Sequence, residues 1–137
     1  MQLLNVVILG LAVLVAPRIV AKPPVEQQEV ELCRQLAPIL GKQRGGKFVT
    51  EVRLWDDTRV DLLSDKYAVE VDYAHKWAEC IGQALYYGHV SDRQPVCLLL
   101  VAATGESSYV YRCQTVCEAH DIQLWVVQID ANGELRK

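Results

Sequence analysis

The order of apolar and polar residues predicts an α/β (α+β) domain with elements in the order α-β-β-β-α-β-α-β, a central mixed sheet flanked by helices. Three observations carry this. Between Phe48 and Asp72, short segments alternate apolar and polar residues and are joined by turn sequences. The run Val96-Cys97-Leu98-Leu99-Leu100-Val101 is continuously apolar, as in a central strand buried on both faces. The segments around these strands carry apolar residues at spacings of three and four, the helical period. With 137 residues, 51% of them hydrophobic, the chain is of a size for one domain.

Taken in order, Val30, Cys33, Leu36 and Leu40 predict a helix from Val25 to Leu40, with Pro38 and Gly41 marking its end. The loop from Gly41 to Lys47 holds Lys42, Arg44 and Lys47, the densest basic stretch, and reads as a solvated turn or, alternatively, as a phosphate contact beside a groove. Strands are expected at Phe48–Trp55, Arg59–Leu63 and Tyr67–Asp72. Asp56-Asp57-Thr58 and Ser64-Asp65-Lys66 form the turns between them. A helix from about His75 to Gly88 follows, with Trp77, Ile81, Ala84 and Leu85 as its apolar stripe. The buried strand spans Pro95–Ala102. A helix spans Glu106–His120, with Tyr109, Cys113, Val116, Cys117 and His120 inward, and a last strand spans Ile122–Ile129. The domain is thus placed at residues 22–130, with a polar C-terminal tail at 131–137.

Residues 1–21 differ from the rest. From Leu3 to Val15 only Asn5 is polar, and a polar run begins at Lys22. This reads as a signal peptide cleaved near Ala21, which implies an exported, periplasmic or secreted domain. No Lys or Arg precedes the apolar run. If uncleaved, the segment reads instead as an N-terminal membrane anchor, the one circumstance in which membrane contact is expected.

The formal net charge is −3. That opposes tight non-specific binding to nucleic acid, which draws on a basic face, but leaves room for a local basic groove. The five cysteines, Cys33, Cys80, Cys97, Cys113 and Cys117, show no CxxC spacing. Most of them read as small buried hydrophobes. A bridge between Cys113 and Cys117 is geometrically awkward on one helix. A zinc site has no second pair of ligands at the right spacing, and a thiol-redox function lacks the motif that would support it.

The chemistry is expected on the strands. Asp61 interrupts Arg-Val-Asp-Leu-Leu and Glu70 interrupts Ala-Val-Glu-Val-Asp, in segments that otherwise favour apolar side chains. Adjacent antiparallel strands can bring two such carboxylates within reach of one cation. Magnesium suits the arrangement, because it needs one or two carboxylates and completes its shell with water and substrate phosphate. The competing reading is a pair of edge-strand charges facing water. On the next helix Lys76, Gln83 and Tyr87 share a face, with Cys80 between them. Lys76 could steady developing charge or orient water. Glu51 matches the face of Asp61 if the hairpin register is symmetric, or else pairs with Arg53 or Arg59. His75 is either a proton carrier or a polar residue of the helix start. Trp55, Trp77 and Trp125 read as core or interface aromatics.

These segments resemble the PD-(D/E)xK nuclease superfamily, the restriction-endonuclease-like fold. Arg59-Val60-Asp61-Leu62-Leu63 is similar to its Asp motif, Ala68-Val69-Glu70-Val71-Asp72 to its second motif, and Gln83-Ala84-Leu85-Tyr86-Tyr87 to the Gln/Tyr helix of several branches. The resemblance covers about Val30 to Gln128. It implies a metal-dependent nuclease with magnesium or manganese as cofactor, nucleic acid as partner, no small-molecule cofactor, and the dimeric habit of members that cut both strands. It assigns catalysis to Asp61, Glu70, Lys76 and Gln83, metal binding to Asp61, Glu70 and Asp72, and support to Glu51 and Tyr87; His75 joins the supporting residues by its place beside Lys76 alone. Where the family keeps its lysine this chain has Asp72. Either Lys76 replaces that lysine, with Asp72 a third carboxylate or a partner for Arg53 or Lys76, or the domain is an inactive nuclease fold serving as an exported binding or structural module.

Overall fold

The computed structural model describes residues 24–102 and 105–136. It is an α/β protein in the expected order: α1 (Val25–Arg44), β1 (Val49–Arg53), β2 (Arg59–Leu63), β3 (Tyr67–Tyr73), a 3-10 turn (Ala74–Lys76), α2 (Trp77–Ser91), β4 (Gln94–Ala102), α3 (Ser107–Ala119) and β5 (Gln123–Ile129). The five strands lie in sequence order in one mixed sheet. The first three form an antiparallel meander, and β4 and β5 join in parallel through α2 and α3. The signal-peptide or anchor reading of residues 1–21 lies outside the described residues. Among the described residues no helix is long and apolar enough to cross a membrane.

Strand β4 divides the core. Val96, Leu98 and Leu100 pack with Leu32, Cys33, Leu36 and Leu40 of α1, while Cys97 and Leu99 pack with Cys80, Ile81 and Ala84 of α2 and Cys113 and Cys117 of α3. Both faces are therefore covered, as the unbroken apolar run requires. Asp130 Oδ1 accepts the N–H groups of Asn132 and Glu134, and the resulting turn folds residues 131–136 back so that Leu135 bridges Ile129 and joins the core.

Several elements depart from expectation for identifiable reasons. Helix α1 continues through Pro38 and Gly41 to Arg44. Pro38 is exposed, so its ring faces water while Leu40 extends the buried stripe. Gly41 is a point of close approach, not a stop: a Cβ there would lie 2.9 Å from the Gly46 carbonyl oxygen. Helix α2 likewise passes Gly88, where a Cβ would meet Pro95 at 2.8 Å, and ends at left-handed Asp92. In α3 the buried residues are Cys113 and Cys117, with Val110 and Val116 packed beside them; His120 is exposed just past the helix end. Trp125 is core, but Trp55 is 83% exposed at the β1–β2 turn.

One pair of cysteines departs from the buried-thiol reading. Cys80 and Cys97 form a disulfide between α2 and β4, whose packing brings their Cα atoms to 5.8 Å. Cys33, Cys113 and Cys117 are free and buried as expected. A pairing seventeen residues apart, set by how a helix lies on a strand, leaves no local mark in the sequence.

Candidate functional site

The meander brings the strand carboxylates together. Strands β2 and β3 pair only through Leu62↔Val69 and Leu63↔Ala68. Beyond that point the Val71 N–H is taken by the side chain of Asp61, whose Oδ2 accepts it at 2.8 Å. The carboxylate thus stands in for a strand carbonyl, and the next residue inward on β3 is Glu70. On the other side of β2, Glu51 falls in register with Asp61, between Thr50↔Leu62 and Val52↔Val60. Glu51 has φ 55°, a left-handed conformation uncommon for a non-glycine residue inside a strand. Its carboxylate pairs with Arg59 at 2.8 Å.

A cleft of about 350 Å³ opens here, lined by Glu26, Glu29, Glu51, Asp61, Glu70, Gln83 and Tyr87 together with Val30, Thr58 and Arg59. Glu70 is 6% exposed, and its Oε2 has no hydrogen-bond partner. A buried carboxylate oxygen without a donor is costly. Burial first, then the charges of Asp61 and Asp72, pushes Glu70 up to about 9. Burial also pushes Asp61 up to about 7, with the Val71 N–H opposing and Glu51 and Glu29 adding to the rise. The cleft therefore favours whatever relieves negative charge, a proton or a cation.

Gln83 and Tyr87 line this cleft from α2, as their spacing predicts. Cys80, three and seven residues before Gln83 and Tyr87, keeps its helical phase but departs from the cleft: it is fully buried in the disulfide, and its sulfur lies 3.6 Å from the Glu70 carbonyl oxygen. Lys76 also departs from the predicted face, because α2 begins only at Trp77 and the preceding 3-10 turn changes the helical phase. Its Nζ lies 3.6 Å from Asp72 Oδ1 and 3.9 Å from Glu29 Oε1, outside the cleft lining. Asp72, 4% exposed, is raised by burial, with Lys76 opposing. Of its two anticipated partners the ion pair is with Lys76, since Arg53 pairs with Asp57 at 3.5 Å. His75 is exposed and stacks on Tyr73, ring centroids 6.0 Å apart.

Glu29 is the residue that sequence reading missed. It stands on α1, its Oε1 is buried without a hydrogen-bond donor, and burial raises its pKa, with Lys76 opposing. A signal was present. Glu29 precedes Leu32 and Cys33 by three and four residues, so it continues the buried stripe of α1, where a glutamate is out of place.

Oxygen ligands from Asp61 and Glu70, one of them lacking any donor, suit a hard divalent cation that retains several waters. Among the described residues no three Asp, Glu, His or Cys side chains are grouped so as to hold an ion by themselves.

A protein of Acanthamoeba polyphaga mimivirus named for a KilA-N domain is 35% identical over 65 residues, covering 47% of this chain and 18% of that protein. No family model matches the chain, and no solved structure matches it.

Proposed function

We propose that this domain is a metal-dependent phosphodiesterase of the PD-(D/E)xK type acting on nucleic acid. The observation that carries the reading is Glu70 Oε2, buried without a donor beside Asp61 at the floor of an open cleft. Stability alone gives no reason to bury such an oxygen. The order of motifs on β2, β3 and α2 supports it further.

On this reading Asp61 and Glu70 hold magnesium or manganese, which when bound polarises a phosphoryl oxygen and lowers the pKa of an attacking water. The Val71 N–H fixes the Asp61 carboxylate, leaving its other oxygen for the ion. Gln83 and Tyr87 bound the cleft on the α2 side and are placed to orient the phosphate. Lys76, held between Asp72 and Glu29, would supply positive charge at the back of the site. The Glu51–Arg59 pair sets the opposite rim.

A second reading, a nuclease fold kept as a binding module, is favoured by one observation: both carboxylates around Lys76 are turned to it, and it contributes nothing to the cleft wall. Calorimetric titration with magnesium and manganese separates the two, comparing wild type with Asp61→Ala and Glu70→Ala. Ion binding lost in both variants, with metal-dependent cleavage of DNA or RNA by wild type, supports the enzyme. Binding of nucleic acid with no ion uptake and no cleavage supports the module.

A further inference from the structure

The β1–β2 turn carries the most exposed large hydrophobic side chain among the described residues, Trp55, at 83%. The turn itself is well tied. The Leu54 N–H donates to the Thr58 carbonyl at 2.8 Å, and the Asp57 N–H to the Leu54 carbonyl at 3.1 Å. Asp56 Oδ1 accepts both the N–H and the hydroxyl of Thr58, at 3.1 and 2.6 Å. Its other oxygen accepts the Tyr86 hydroxyl of α2. The hairpin tip is therefore stapled to the helix that also presents Gln83 and Tyr87 to the cleft. Thr58 and Arg59, three and four residues beyond Trp55, line that cleft. The indole of Trp55 stands on this tied turn, three residues before the cleft-lining Thr58, and at 83% exposure it contributes nothing to the core.

We propose that Trp55 is a stacking platform for one unpaired nucleobase of a nucleic-acid strand whose phosphate lies at Asp61 and Glu70. The inference rests on the phosphodiesterase reading and names its substrate form, single-stranded or frayed. A single indole matches one base, which presents a π-face whatever its identity. It is far smaller than the roughly 800 Å² per partner of a standard protein interface. Bases inside a duplex are already stacked, so the platform discriminates for unpaired ones. Asp56 and Asp57 beside the ring are each engaged, by Tyr86 with Thr58 and by Arg53, which lessens their repulsion of the strand.

The test compares wild type, Trp55→Ala and Trp55→Phe, as the full chain with manganese, on two substrates. One is a single-stranded oligothymidylate. The other is thymidine 5′-phosphate p-nitrophenyl ester, whose one nucleoside is too short to span cleft and platform. Trp55→Ala should raise KM for the oligonucleotide roughly tenfold with kcat little changed. The ester should be cleaved as by wild type, and Trp55→Phe should restore most of the affinity. An unchanged oligonucleotide KM in Trp55→Ala overturns the platform while leaving the enzyme intact. If wild type cleaves neither substrate, the phosphodiesterase reading falls, and oligothymidylate titration followed by tryptophan fluorescence decides the platform. Quenching present in wild type and absent from Trp55→Phe sustains it; equal signals in both overturn it.

Discussion

Glu70→Gln should stabilise the metal-free domain, and the gain should grow with pH. The folded state holds the Glu70 proton up to about 9, against an ordinary 4.5, because burial and the neighbouring Asp61 penalise the anion. A carboxyl whose folded value is raised binds protons more tightly folded than unfolded. Its contribution is therefore least unfavourable below 4.5 and worsens steadily until the pH passes 9. At pH 8 the medium lies well above the ordinary value and below the raised one, so the penalty is on the order of several kcal/mol; at pH 5 it is below about 1 kcal/mol. Glutamine keeps the shape and removes the titration. Because Glu70 is 6% exposed, solvent screens little of this. A whole domain has about 5–15 kcal/mol of stability, so the metal-free protein is expected to be weak at pH 8. The assay is urea unfolding in EDTA at pH 5, 6.5 and 8. The two proteins should have similar midpoints at pH 5 and diverge by pH 8. Millimolar magnesium should narrow the difference by stabilising wild type alone. Parallel pH profiles for the two proteins in EDTA would show that the Glu70 carboxylate is not desolvated as its burial indicates.

Lys76→Ala leaves the buried Asp72 and the half-buried Glu29 without their shared cation; because Lys76 is partly exposed, a loss of about 1 kcal/mol is expected, read as a lower urea midpoint at pH 7. Adding Asp72→Asn to that variant should recover part of it, and no recovery would mean that the ion pair is not the cause. Gly88→Ala drives a methyl to within 2.8 Å of Pro95 and should lower stability by about 1–3 kcal/mol, whereas Gly82→Ala, exposed on the same helix with open space around it, should gain about 1 kcal/mol by thermal melting. Leu99→Ala, in fully buried β4, should cost about 2–5 kcal/mol in the same assay.

What could be read from the chain follows the range of the interactions. Strand β2 was readable to the residue because Asp56-Asp57-Thr58 and Ser64-Asp65-Lys66 bracket it locally. The element order followed from periodicities that need no knowledge of packing. Asp61, Glu70, Gln83 and Tyr87 meet at one cleft because each sits at a fixed phase of a regular element. Lys76 was misplaced because α2 begins at Trp77, so helical spacing cannot be counted back through the 3-10 turn; Cys80 keeps its helical phase but is drawn into the core by its bond to Cys97. Glu29 was missed because α1 precedes the meander by many residues, and only the folded chain carries its first turns over Asp61. The run past Pro38 was hidden because a proline's effect depends on which side of the helix faces water.

The sheet's division into an antiparallel meander and a parallel half bears on how the chain reaches its structure. Asp61 and Glu70 are nine residues apart, within a single hairpin whose turn is closed by Ser64 Oγ accepting the N–H groups of Lys66 and Tyr67. Closing so short a loop costs little entropy, while β3–β4 and β4–β5 each wait for a whole helix to be placed. The two carboxylates are thus expected to be neighbours early, in a half-formed chain still open to water. Their mutual repulsion becomes severe only when β4, α1 and α2 close over them. The last step of folding, not the first, is where a divalent ion in the medium should change the rate.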